Sequence, residues 1–83
     1  MKEFLLDVRT PEEFSEFHIK DSINIPLDQI PNNLEKLKEL KEKIIIICRS
    51  GARAKTAQDY LTQNNITNTK VLDGGILKHK TYP

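Results

Sequence analysis

The sequence predicts an α/β fold: a doubly wound parallel sheet with helices on both faces. Three observations lead there. Strand-like and helix-like segments alternate along the 83 residues. The run Ile44–Cys48, "IIIIC", is apolar without alternation, as in a central parallel strand covered on both faces. The segment after it, "ARAKTAQDYLTQNN", puts Ala54, Ala57 and Leu61 on one helical face, small enough in part to lie close on a sheet.

Each element has its own signal. "EFLLDV" is a short buried strand. "TPEEF" starts a helix, with Thr10 as N-cap, Pro11 at the first helical position and Glu13 completing a capping box. Phe14 and Phe17 are the apolar face of that short helix. "SINI" before Pro26 is a second strand. Asn32 or Asn33 caps a helix through "LEKLKELKEK", with Leu34, Leu37 and Leu40 inward and Lys/Glu outward. Asn64 and Asn65 suit the C-terminal end of the helix after "IIIIC". "KVL" is a last strand, and Gly74-Gly75 is a tight turn into a short terminal segment.

Length and charge bound the function. Residues 1–83 make one domain, with a core that is small but feasible without covalent staples. The single cysteine cannot form an internal disulfide, and "MKEFLLDVR" is not a signal peptide, so a cytoplasmic location is expected. No apolar run approaches the ~20 residues of a membrane span. Lys and Arg number 13 against 12 Asp and Glu, with no basic stripe interleaved with aromatics, so no nucleic-acid partner is expected.

The chemistry concentrates in "CRSGAR", Cys48 to Arg53. Ligands of such sheets bind beyond the carboxyl ends of the strands, where Cys48 sits. Ser50, Gly51 and Ala52 are small enough for the backbone to curl around the sulfur. The loop enters a helix whose N-terminus offers free N–H groups, and Arg49 and Arg53 add positive charge. These features favour a nucleophilic thiolate in an anion-binding cradle over an inert core cysteine. Ser50 can donate to the sulfur or a bound anion, or serve only as a small turn residue. Arg53 is expected to be free to turn back toward the mouth of the cradle, and Arg49 to point across its rim. "RSGARAKT" is not a phosphate-binding P-loop, because Arg49 and Ala54 stand where that motif needs glycine. Cys48, His18 and His79 are too isolated in sequence for a metal site, and neither histidine has an evident catalytic partner. Asp7 and Arg9 are expected to form a structural pair.

The pieces "DVRTPEEF", "HIKDSINIP" and "CRSGAR", in that order, resemble the single-domain rhodaneses, the thiosulfate sulfurtransferases. The resemblance runs from Phe4 to about Ile76. It implies the rhodanese-like fold with "EFLLDV" between "IIIIC" and "SINI", and it implies that Cys48 carries a persulfide cradled by the Cys48–Arg53 loop. The Cys-x4-Arg spacing matches the sulfurtransferase loop. The related dual-specificity phosphatases and arsenate reductases carry Cys-x5-Arg, so phosphatase activity is not expected. The chain begins close to the "LLDVR" strand, N-terminally short for the family, and has His79 where a tryptophan is usual. Both features resemble the short phage-shock-protein E type, which is periplasmic.

The implied activity is sulfur transfer from thiosulfate, or from a persulfide donor, to a thiol or protein acceptor. Arg49, Ser50, Gly51, Ala52 and Arg53 would bind the donor, with no metal or organic cofactor. The alternatives are a sulfur-relay partner fed by another protein's persulfide, or a non-catalytic binding module with this fold.

Overall fold

Four consecutive isoleucines decide how the layers stack. The computed structural model describes residues 2–82. Its strands are β1 (Glu3–Asp7), β2 (Ile23–Asn24), β3 (Lys43–Ile47) and β4 (Thr69–Val71), all parallel, in the order β2-β1-β3-β4. Side chains alternate along β3, so Ile44 and Ile46 join Leu6 and Val8 in one core, while Ile45 and Ile47 join Leu5 and Leu72 in the other. All four isoleucines are at most 2% exposed. Burying each such side chain contributes about 1.5–3 kcal/mol. The doubly wound arrangement and the place of β1 between β3 and β2 are as expected.

The first core is roofed by α3 (Ala52–Gln63) through Ala54, Ala57 and Leu61, by Leu37 of α2 (Leu34–Lys38), and by Ile30 of a 3₁₀ segment, Leu27–Asn33. The second core is thinner. Ile19, in the stretch after α1 (Pro11–Glu16), and Ile76 of α4 (Gly75–Lys78) cover it.

Local chemistry explains the element ends. The capping box of α1 is formed: Thr10 Oγ1 accepts from the Glu13 N–H at 3.2 Å, and Glu13 Oε1 accepts from the Thr10 N–H at 3.0 Å. Helix α3 stops at Gln63, with Asn64 and Asn65 closing its C-terminal end as expected. Asn65 there turns left-handed at φ 67°, and the Ile66 and Asn65 N–H groups return to the carbonyls of Leu61 and Thr62. That is a Schellman end, closed by the buried pair Leu61 and Ile66.

Several expectations are corrected. The helix through "LEKLKELKEK" extends only over Leu34–Lys38. Pro31 lies in the preceding 3₁₀ segment, and the chain after Lys38 tightens into i→i+3 bonds from Glu39 to Lys36 and from Leu40 to Leu37. Asn68 Nδ2 then donates to the Leu40 and Glu42 carbonyls at 3.1 and 2.7 Å, holding the backbone open for entry into β3. Asn33 donates to the Gln29 carbonyl instead of capping. The strand in "SINI" narrows to Ile23–Asn24, and the last strand is shifted one residue early. Phe14 is half-buried and stacks on His18, whereas Phe17 lies past the helix and is 43% exposed. Gly74-Gly75 opens a short helix. Among the described residues no helix is long and apolar enough to cross a membrane.

Candidate active site

Parallel strands bring their carboxyl ends to one edge, and the residue following β3 there is Cys48, 1% exposed. Strand pairing stops at Ile47, so Cys48 begins the loop and is not the last strand residue. Its Sγ accepts from the Gly51 N–H at 3.0 Å and from the Ala54 N–H at 3.3 Å. Helix α3 has no side-chain cap, and its N-cap residue is Gly51. The sulfur therefore occupies the place of a capping acceptor, and the orphan donors of the helix end point at it. Gly51 makes the turn at φ 117°, a conformation that L side chains rarely adopt.

The far side of the loop is fastened by α4. The Ile76 N–H donates to the Cys48 carbonyl at 3.0 Å and the Leu77 N–H to the Arg49 carbonyl at 3.2 Å. In a trans peptide the N–H lies opposite the C=O, so the Arg49 and Ser50 N–H groups point away from α4. A Cβ on Gly75 would stand 2.3 Å from the Cys48 oxygen and 2.4 Å from the Arg49 oxygen. Only glycine permits this approach, a role the "GG" pair signalled in the sequence only as a turn.

The other expected site residues are spread around the loop. Arg49 and Ser50 are exposed, and Arg49 has no ion-pair partner among the described residues. Ser50 and Gly51 border an open cavity of about 590 Å3 that reaches Lys55, Gln58 and Thr69. Ala52 opens α3 and is exposed. Arg53 is not free. Its Nη1 and Nη2 donate to Glu13 Oε1 and Oε2 at 2.7 and 2.9 Å, a bidentate pair across 40 residues of chain. Sequence reasoning identified Glu13 only as a capping residue, because its second role needs the tertiary approach of α1 and α3.

The neighbouring polar groups are engaged in hydrogen bonds of their own. Asp7, fully buried, accepts from the Arg9 backbone N–H at 3.0 Å and from its guanidinium at 2.8–3.1 Å. Arg9 Nη2 also donates to the Phe17 carbonyl at 2.6 Å, and Asn24 Nδ2 donates to the carbonyls of Asp7 and Arg9. His18 is engaged with Phe14, and His79 Nε2 lies 2.8 Å from the Asp73 carbonyl. Among the described residues no group of three or more His, Cys, Asp or Glu is placed to hold a metal ion.

Arg53 and the capping bonds of Thr10 lower the Glu13 carboxyl from 4.5 to about 2. A depressed carboxyl contributes stability above its unfolded pKa and loses it as pH falls through the folded value. Both side chains are about one-third exposed, so water screens the pair and the contribution is modest. Urea unfolding should show Glu13→Gln less stable than the parent at neutral pH, with the gap closing between pH 4.5 and about 2. A gap independent of pH would mean that the ion pair contributes nothing.

Comparison with known proteins gives the family. Residues 1–81 match the family model of the rhodanese-like domain. A sulfurtransferase of Allochromatium vinosum is 36% identical over 73 residues, covering 88% of this chain and 67% of that protein. A tRNA uridine(34) hydroxylase of Hamiltonella defensa is 33% identical over 79 residues, but the chain spans only 22% of its length. The crystal structure of a rhodanese-related protein from Thermoplasma volcanium superposes with a TM-score of 0.82 at 34% identity, covering 98% of this chain and 81% of that one. With the sheet order, the loop and the family match in agreement, the chain belongs to the rhodanese-like domain family.

Proposed function

We propose that residues 1–83 form one rhodanese-like domain that carries sulfane sulfur on Cys48, taking it from thiosulfate or a persulfide and passing it to a thiol or protein acceptor. The observation that carries this reading is the pair of N–H groups aimed at Sγ, at 3.0 and 3.3 Å. They stabilise a sulfur anion without any side-chain charge, and they can do the same for a terminal persulfide sulfur. The Cys48 thiolate attacks the outer sulfur of thiosulfate. The S–S bond breaks, sulfite leaves with the bonding pair, and Cys48–S–S⁻ remains. An acceptor thiolate then attacks the terminal sulfur and returns the Cys48 thiolate. Arg49 and Arg53 meet the anionic donor, while Ser50, Gly51 and Ala52 supply backbone and small side chains around it. A lone thiol that must stay reduced fits a cytoplasmic location.

Varying thiosulfate and a thiol acceptor should give parallel double-reciprocal lines, with sulfite released in the first half-reaction. Converging lines would contradict the covalent intermediate. Arg53→Ala should lower kcat/KM for thiosulfate at least about tenfold, since it removes a cation and leaves the Glu13 carboxylate unpaired. Arg49→Ala should mainly raise KM, by about two- to fivefold, because its side chain is exposed and screened.

A further inference from the structure

One carboxylate joins the N-termini of two helices. Glu13 Oε1 accepts from the Thr10 N–H at 3.0 Å and from the Thr10 hydroxyl at 3.1 Å, which ties it to the start of α1. The same carboxylate accepts from Arg53 Nη1 and Nη2 at 2.7 and 2.9 Å. Arg53 lies between Gly51 and Ala54, the two residues whose N–H groups hold Sγ at 3.0 and 3.3 Å. Its guanidinium is raised above the ordinary value chiefly by the Glu13 hydrogen bonds and in lesser part by charge on Cys48, which puts it in electrostatic reach of the sulfur. The platform under Glu13 is itself fastened. Arg9, buried, is tied to Asp7 at the end of β1 and donates from Nη2 to the carbonyl of Phe17, the C-cap of α1, at 2.6 Å. A chain of bonds thus runs from the end of β1 through α1 to the first turn of α3.

We infer that Glu13 is a positioning residue for the sulfur site: it fixes the Arg53 guanidinium where an anion approaching Sγ meets it. Its effect on turnover rests on the sulfur-carrier reading of Cys48. An arginine side chain has many rotamers, and holding one of them costs conformational entropy. Here the fork of the guanidinium matches the two oxygens of Glu13, so the side chain is ordered before any anion arrives. The pair engages one N–H on each terminal nitrogen and leaves the other donors for an incoming anion. The carboxylate weakens the pull of the cation but holds the cation still. Two simpler roles have different consequences. If Glu13 only capped α1, a side chain that caps as well would leave the site unchanged. If it only offset charge, neutralising it would strengthen the attraction for anions.

The test alkylates Cys48, the only thiol, with iodoacetate and with iodoacetamide on the full chain at fixed ionic strength. The reacting carbon is the same and only iodoacetate is an anion, so the ratio of the two rates cancels differences in thiolate content. Glu13→Gln keeps the capping box, since glutamine serves there too, but its amide nitrogen cannot accept from Arg53. With the fold checked by circular dichroism, the iodoacetate-to-iodoacetamide ratio should fall about threefold, although a negative charge has been removed. It should fall in Arg53→Ala as well, and adding Glu13→Gln to Arg53→Ala should lower it no further. A rise in Glu13→Gln, an unmoved ratio, or an equal further fall in the Arg53→Ala background overturns the inference. In a single turnover with thiosulfate, Glu13→Gln should lower the maximal rate of sulfite release without raising the half-saturating concentration, because the cation remains. A change confined to that concentration would also overturn it. If the ratios behave as expected while neither thiosulfate nor a persulfide loads sulfur on Cys48, the carrier reading fails and the positioning of Arg53 stands.

Discussion

Cys48→Ser abolishes sulfur transfer and leaves the fold standing. The serine oxygen can accept the same two N–H groups that hold Sγ, so the buried site keeps its hydrogen bonds and α3 keeps its cap. The substituted group is slightly smaller in a position only 1% exposed, and the cost should stay at about 1 kcal/mol. What serine lacks is the ability to hold a sulfane sulfur, since the mechanism needs a sulfur nucleophile that forms and releases an S–S bond. The expected result is transfer at the uncatalysed background, with circular dichroism unchanged and a urea midpoint near that of the parent. Turnover near the parental rate in a folded Cys48→Ser protein would sink the nucleophile assignment.

Gly75→Ala should be the most damaging substitution outside the loop itself. The new Cβ would meet two backbone oxygens, of Cys48 and Arg49, at 2.3 and 2.4 Å, and neither can swing aside like a side chain. Residue 75 also sits at φ 58°, which costs alanine a further ~1–2 kcal/mol. To relieve the clash α4 must back away, and the bonds from the Ile76 and Leu77 N–H groups to those oxygens stretch or break. The loop then loses its outer fastening, and the N–H groups of Gly51 and Ala54 lose their aim at the sulfur. A stability loss of about 2–4 kcal/mol and a fall in kcat/KM of at least about a hundredfold are expected. Gly74→Ala is the internal control. Residue 74, at φ 82°, strains alanine in the same way, but its Cβ would meet the side chain of Lys78 instead of backbone oxygens, and the outer carbons of that side chain can rotate away. It should therefore retain far more activity, and equal losses in the two variants would show that the approach of α4 does not shape the loop.

The sequence carried more of the fold than of the site's wiring. Unbroken β-branched character announced β3 as doubly buried, and the Thr10–Glu13 spacing announced the start of α1, because both signals are local. The early end of α2 was not legible. It depends on Asn68, which reaches the Leu40 and Glu42 carbonyls from 28 and 26 residues away. The buried pair Asp7–Arg9 was legible, since two residues apart at a strand end leave few other partners. The pairing of Arg53 with Glu13 was not, and that pairing most changes the electrostatics: a cation expected to be free is already matched. Gly75 shows the same limit, because the need for a bare Cα arises only where α4 meets the Cys48 loop.

Intact-protein mass spectrometry after brief exposure to a sulfane donor and desalting shows whether Cys48 carries the transferred sulfur. Cys48 is the chain's only cysteine, so the site of a thiol adduct is unambiguous. The expected result is a gain of about 32 Da, one sulfur, that disappears when an acceptor thiol is added and never forms in Cys48→Ser. An unchanged mass with both thiosulfate and a persulfide donor, or a gain that persists in Cys48→Ser, would show that Cys48 is not the sulfur carrier.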